Sequence, residues 1–182
     1  MNNILIYDCE TLKGMFLIVI YDIQTKEWFT FEISERKCEI DKFVNFTEEY
    51  KDYYFCGYNC LRFDSQVIEY VLRNYQFWVE KSCIEICQLV WQKAQDVIDD
   101  SNYEIFPDYK ESELSLKQLD LFTIWHFSNI NRRTSLKAIE FAINFESIEE
   151  MPYHHSKEFF TEKEYEETKS YCKNDVSATY AL

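Results

Sequence analysis

Residues 3–33 read NILIYDCETLKGMFLIVIYDIQTKEWFTFEI, and the way this stretch divides into strands decides the fold. Asn3 to Glu10 is a short apolar run that ends in acids, and Met15 to Ile23 is a second run with FLIVIYD at its heart. Glu27 to Ile33, EWFTFEI, alternates apolar or aromatic residues with polar ones. Short apolar runs and period-two alternation are the marks of strands. Gln24-Thr25-Lys26 is short enough for a hairpin, so an antiparallel trio opens the chain. In an extended segment side chains two apart share a face, so Asp8 and Glu10 of YDCET point one way and Cys9 the other. Neighbouring carboxylates resist ionising together unless a cation or hydrogen bond compensates. Two accounts stand on these residues alone: a strand whose last residues are solvated, or a site.

Outward from the trio, Ile40 to Tyr50 reads as a helix and Tyr53 to Tyr58 (YYFCGY) as a fourth strand. Ser65 to Tyr75 is a helix with Val67, Ile68, Val71 and Leu72 on one side. A longer helix covers about Ser82 to Val97, with Ile86, Leu89, Val90 and Ala94 as its stripe. Asp99 to Glu113, DDSNYEIFPDYKESE, is acidic, contains Pro107 and reads as a surface loop. Leu116 to Phe122 holds a fifth strand. Thr134 or Ser135 caps a helix whose expected buried face is Leu136, Ile139, Ala142 and Ile143. Thr161-Glu162-Lys163-Glu164 has capping-box spacing and opens a last helix. The order predicts an α/β fold, a mixed sheet of about five strands with helices packed against it.

At 182 residues the chain has the length of one domain. Its 47% hydrophobic and 18% aromatic content exclude a disordered chain. A formal net charge of -14 argues against passive nucleic-acid binding. It leaves open an enzyme that meets phosphates through bound divalent cations, which bring their own positive charge. There is no basic-then-apolar leader and no apolar run near the roughly 20 residues that span a bilayer, so the expectation is a soluble, cytoplasmic protein with no membrane partner. Seven cysteines, an odd number, read as reduced thiols that are mostly small core residues. The pairs Cys56/Cys60 and Cys83/Cys87 lack the tight spacing of structural zinc sites, and His126, His154 and His155 lie far off in sequence.

Three further groups of residues bear on Asp8 and Glu10. In GYNCLRFDSQVIEYVL, Asp64 stands where a helix begins, which suits an N-cap and equally a carboxylate held at a strand end. Asn59 holds the turn or touches a substrate backbone, and Phe63 is core or a stacking platform. In SYCKNDVSATYAL, Tyr171 and Asp175 are four apart and lie one above the other on a helix. They flank a core stripe of Tyr165, Thr168, Cys172, Val176 and Thr179. Arg132, Arg133 and Lys137 form the nearest thing to a basic cluster, either solvated or steering phosphates.

Taken in order, Asp8-x-Glu10, Asn59 with Phe63-Asp64, and Tyr171-x-x-x-Asp175 resemble the three motifs of the DEDDy 3'-to-5' exonucleases. That group has the ribonuclease H-like fold and includes the proofreading domains of DNA polymerases. TSLKAIEFA (Thr134 to Ala142) and MPYHHS (Met151 to Ser156) are similar to the segments joining the last two motifs in phage-type polymerases. The resemblance covers nearly the whole chain. It implies a ribonuclease H-like sheet with helices on both faces and two divalent ions, Mg2+ or Mn2+. Asp8, Glu10, Asp64 and Asp175 would be the ligands: Asp8 bridging, Glu10 and Asp175 completing one site, and Asp64 supporting the other. Tyr171 would position the attacking water, and Leu12 would wedge near the terminal base unless it is simply a strand-end core residue. The implied substrate is a single-stranded or frayed 3' end of DNA, or of RNA, released as nucleoside 5'-monophosphates. The chain stops at Tyr180-Ala181-Leu182 inside the last helix, which suggests residues 1–182 as the N-terminal exonuclease part of a longer, viral polymerase acting in the host cytoplasm. A different class of reading is a fold relic that binds nucleic acid without cutting it.

Overall fold

The computed structural model of the protein describes residues 3–102, 107–126 and 134–182. Its five strands are β1 (Ile4–Leu12), β2 (Met15–Asp22), β3 (Trp28–Ser34), β4 (Tyr54–Gly57) and β5 (Lys117–Asp120). They form one sheet in the order β3-β2-β1-β4-β5. β1 pairs antiparallel with β2, and β2 with β3, while β1–β4 and β4–β5 are parallel. The expected antiparallel trio is therefore present, and β1 sits at its junction with the parallel pair. This mixed α/β layout fits a ribonuclease H-like architecture.

Six α-helices are described: α1 (Ile40–Glu49), α2 (Asp64–Asn74), α3 (Cys83–Asn102), α4 (Leu121–His126), α5 (Leu136–Ala142) and α6 (Glu162–Ala181). Strand alternation in β1 divides the interior into two cores. Leu5, Tyr7 and Cys9 face the cluster that includes Phe43 of α1, Val67 and Val71 of α2, and Cys87, Val90 and Ala94 of α3. Ile6 and Leu12 face the other cluster, closed by Tyr165, Cys172 and Val176 of α6. Helices thus cover both faces, as the resemblance implied. Among the described residues no helix is long and apolar enough to cross a membrane.

The β1–β2 turn is fastened to the segment that precedes α6. Lys13 N–H donates to the His155 carbonyl at 2.9 Å and Gly14 N–H to the Lys157 carbonyl at 3.0 Å. A Cβ on Gly14 would overlap the Glu158 backbone carbonyl, so glycine is needed here for close approach. At the start of α6 the Thr161 hydroxyl accepts the Glu164 N–H, and Glu164 returns a bond to the Thr161 N–H at 2.8 Å, the expected capping box.

Several sequence expectations are corrected. α3 runs on through Asp99–Asn102, so the expected loop from Asp99 to Glu113 begins later than its composition suggests. At the start of α3 Ser82 and Glu85 cap each other reciprocally, and its apolar stripe continues to Val97. Ser135 caps α5, its hydroxyl accepting the Ala138 N–H at 3.2 Å. The buried residue of α5 is nevertheless Glu140, while Ala142 and Ile143 are exposed. This helix turns a polar edge inward because that edge meets the acids of α6. Arg132 and Arg133 lie outside the described residues.

Candidate active site

Asp8 and Glu10 sit on the face of β1 that α6 covers, half-buried beside the cluster containing Ile6 and Cys172. Carboxylate oxygens of Asp8 and Glu10 and the Cys172 sulfur lie within 4.8 Å of one another. The Cys172 thiol donates to Asp8 Oδ2 at 3.4 Å and approaches the Asp8 carbonyl at 3.6 Å. Sequence reasoning placed Cys172 in the core stripe of α6, and the side chain is fully buried as expected. What local pattern did not show is that this stripe runs directly beneath the two acids.

Asp64 reaches the same place from the opposite core. The structure corrects the N-cap reading: Asp64 is the first residue of α2, with Phe63 in the capping position and no side-chain cap bond. Its Oδ1 instead accepts the Cys9 N–H at 3.3 Å and the Cys9 thiol at 3.2 Å. The register explains why. The β1–β4 pairing ends at Ile6↔Cys56, so β1 runs on past its parallel neighbour and Cys9, paired with Ile18 of β2 on one side, has no strand on the other. A buried N–H must find an acceptor, and Asp64, 6% exposed, supplies one. Cys9 is core, as its odd position requires, and it also holds Asp64 in place.

Tyr171 and Asp175 complete the group from α6, both buried despite their place at the edge of the apolar stripe. Lys137 Nζ on α5 is 2.5 Å from Asp175 Oδ1 and 3.3 Å from Glu140 Oε1, and it lies 5.0 Å from the Tyr171 ring centroid. Lys137 is therefore neither simply solvated nor a steering charge at the rim; it is the cation against Asp175. Glu140 is 1% exposed, and its Oε2 has no hydrogen-bond partner.

The electrostatics follow from crowding. Burial pushes the Asp8 and Glu10 carboxyls well above the ordinary range, and the facing Asp64 and Asp175 charges push them further. Burial raises Asp64 to about 6 against the pull of its Cys9 bonds. Asp175 is also raised by burial, although Lys137 and the Tyr171 hydroxyl oppose the shift. The Tyr171 phenol is driven well above its usual value by burial and by Asp175 and Glu10. Four acids from β1, α2 and α6 thus press on one another with a single lysine as described counter-charge.

The remaining expected residues are placed as follows. Asn59 holds the turn after β4 with φ 59°, and its N–H donates to Asp120 Oδ1 at 2.9 Å. Phe63 is half-buried against the core of α2 and α3. Leu12 is 1% exposed, packed with Met15 and Leu17 under α6. The structure corrects the wedge reading in favour of the strand-end core residue, because a side chain so enclosed offers no face to a base. A cleft of about 430 Å3 is lined by Tyr58, Asn59, Arg62, Phe122 and Ser135. Arg62, which sequence reading passed over, brings a guanidinium into it.

The chain matches no family model, no curated protein and no solved structure.

Proposed function

We propose that the protein is a metal-dependent 3'-to-5' exonuclease acting on single-stranded or frayed DNA ends by hydrolysis of the terminal phosphodiester. The observation that carries this reading is the cluster of Asp8, Glu10, Asp64 and Asp175, four buried or half-buried acids with too few donors to stabilise their charges. Carboxylate oxygens are what hard divalent cations select, and the unmet charge and the orphaned Glu140 oxygen fit a cation-binding site. Two Mg2+ or Mn2+ ions held by these four acids would acidify a water and offset charge on the attacking and leaving oxygens.

The chain's own groups do the rest. Tyr171, with its phenol pushed up, keeps its proton and so acts as a hydrogen-bond donor that orients water rather than as a base. Lys137 limits the negative charge at Asp175 and holds one oxygen of that carboxylate in place. Asp64 is fixed by the Cys9 N–H, so its free oxygen has one direction. Arg62 in the neighbouring cleft offers a cation to a phosphate. Nothing in this set reads base edges, which suits removal of any terminal nucleotide. The larger setting that fits is proofreading or end trimming, alone or joined to a polymerase.

The test is cleavage of 3'-labelled single-stranded DNA with Mn2+ or Mg2+, with RNA of the same sequence in parallel. Laddering that vanishes in EDTA and in Asp8→Ala supports the reading. Absence of cleavage of either strand with either metal overturns it in favour of a non-catalytic binding module.

A further inference from the structure

Away from the acids, three thiols gather where β3 passes into α1 and where α3 begins. The backbone beyond β3 folds back so that Cys38 forms an isolated antiparallel bridge with Ile33. The Cys87 thiol donates to the carbonyl of that same Ile33 at 2.9 Å. Cys83 is the first residue of α3 and lies one turn before Cys87, on the same side of the helix. Cys38 and Cys83 are thereby drawn to the same corner, where burial and then the facing Cys83 push the Cys38 thiol up to about 11, so that exchange is slow at neutral pH. Their accessibility is graded: Cys38 is exposed, Cys83 half-buried and Cys87 buried.

We propose that Cys38 and Cys83 form a dithiol site that takes small disulfide oxidants of the glutathione type and closes into an intramolecular disulfide. A cleft of about 370 Å3 lined by Cys38, Tyr75, Trp78, Lys81 and Ile86 gives the reagent its entrance. Lys81 supplies a cation for the reagent's carboxylates, with Asp41 also in the lining and Glu85 beside Lys81. The Cys38 thiolate attacks one sulfur of glutathione disulfide, the S–S bond breaks, and one glutathione leaves with a proton. The Cys83 thiolate then attacks the Cys38 sulfur of the mixed disulfide and expels the second glutathione. Two protein thiols are oxidised to one disulfide while one glutathione disulfide is reduced to two thiols, so atoms and electrons balance. Exposed Cys38 thus meets the oxidant and the more sheltered Cys83 resolves the adduct, the order expected of a redox-responsive pair. Cys87, held by the Ile33 carbonyl behind them, stays reduced.

The closed loop contains α1, β4 and the whole of α2, which carries Asp64. Oxidation therefore fastens this segment to the sheet and lowers the entropy of the unfolded chain, a gain that corresponds to about 5–10 °C in Tm for a chain of this size. The experiment treats the full chain with glutathione disulfide at pH 8, blocks remaining thiols, and reads intact mass, fragmentation of the 82–93 peptide linked to residues 38–42, and Tm with and without reductant. The expected result is one Cys38–Cys83 cross-link in the wild type and in Cys87→Ser, with the Tm rise reversed by reductant. Cys38→Ser should lose the cross-link, and Cys83→Ser should retain a glutathione adduct on Cys38. Persistent glutathione adducts on wild-type Cys38 without a cross-link, or a cross-link between other cysteines, would overturn the proposal.

Discussion

Asp120 is the last residue of β5 and Asp8 lies midway along β1, and the protein treats these two strand acids in opposite ways. Asp120 is buried, and its two oxygens accept the backbone N–H groups of Asn59 at 2.9 Å, Leu61 at 3.1 Å and Phe122 at 2.9 Å. Glu69 on α2 is served in the same manner by Arg73 and by the N–H and hydroxyl of Ser115. Asp8 has a thiol as its described side-chain donor and faces three other carboxylates. An acid that ties the fold together collects its donors from the chain, whereas among the described residues Asp8 has only a thiol and Glu10 has no hydrogen-bond donor. Counting donors, rather than counting acids, is what separates the two kinds in a chain of charge -14.

The largest expected effect on that contrast comes from removing Asp8. Asp8→Asn should reduce metal-dependent cleavage by about 10^3-fold or more, roughly 4 kcal/mol of barrier. In EDTA the same variant should melt higher than the wild type, because one of four mutually repelling charges is gone. Equal melting temperatures in EDTA would break the claim that the site acids are unsatisfied.

Asp120→Ala should do the reverse, leaving three N–H donors without their acceptor. Each buried donor left unmade costs about 1–3 kcal/mol, so a loss of at least ~3 kcal/mol in urea unfolding is expected. A neutral result would mean that Asp120 does not organise the Asn59 turn.

A smaller effect tests the hydroxyl that touches the acid group. Tyr171→Phe should lower single-turnover cleavage about 10- to 100-fold and leave Mn2+ binding by calorimetry unchanged. An unaltered single-turnover rate would remove Tyr171 from the reaction.

The smallest effect is the pH dependence of the metal-free fold. The carboxyls of Asp8, Glu10, Asp64 and Asp175 are raised in the folded state, so the folded chain binds more protons than the unfolded one and stability falls as pH rises. With Asp64 at about 6, the loss should be visible between about pH 4 and pH 7 as a declining Tm in EDTA, once the opposite trend from surface acids is subtracted using Asp64→Asn as reference. Saturating Mn2+ should remove this component. A slope that Mn2+ leaves untouched would place its origin outside the site.

The strands were legible in sequence because β1, β2 and β3 carry their alternation openly, and β1 told correctly which face Asp8 and Glu10 share. The last helix was legible from Thr161 and Glu164 alone. Local pattern failed where a residue answers to something distant. Glu140 and Lys137 turn inward because Asp175 lies 38 residues further on, beyond any helical period of α5. Asp64 looked like a cap because a helix starts there, yet its partner is the Cys9 N–H, 55 residues earlier. Cys172 resembled any small core residue until its helix was laid across β1.

The fastening of the β1–β2 turn to residues 155–158 also has a consequence for timing. Asp8 and Asp175 lie far apart in the chain, and the helix that carries Asp175 is led onto β1 by the segment whose His155 and Lys157 carbonyls accept the Lys13 and Gly14 N–H groups. Contacts of such long sequence separation form late in folding, because the loop between them must close first. A ribosome-bound chain that has not yet released residues 161–181 therefore lacks one wall of the acid cluster, and Tyr171 and Asp175 join Asp8 and Glu10 only with the last helix.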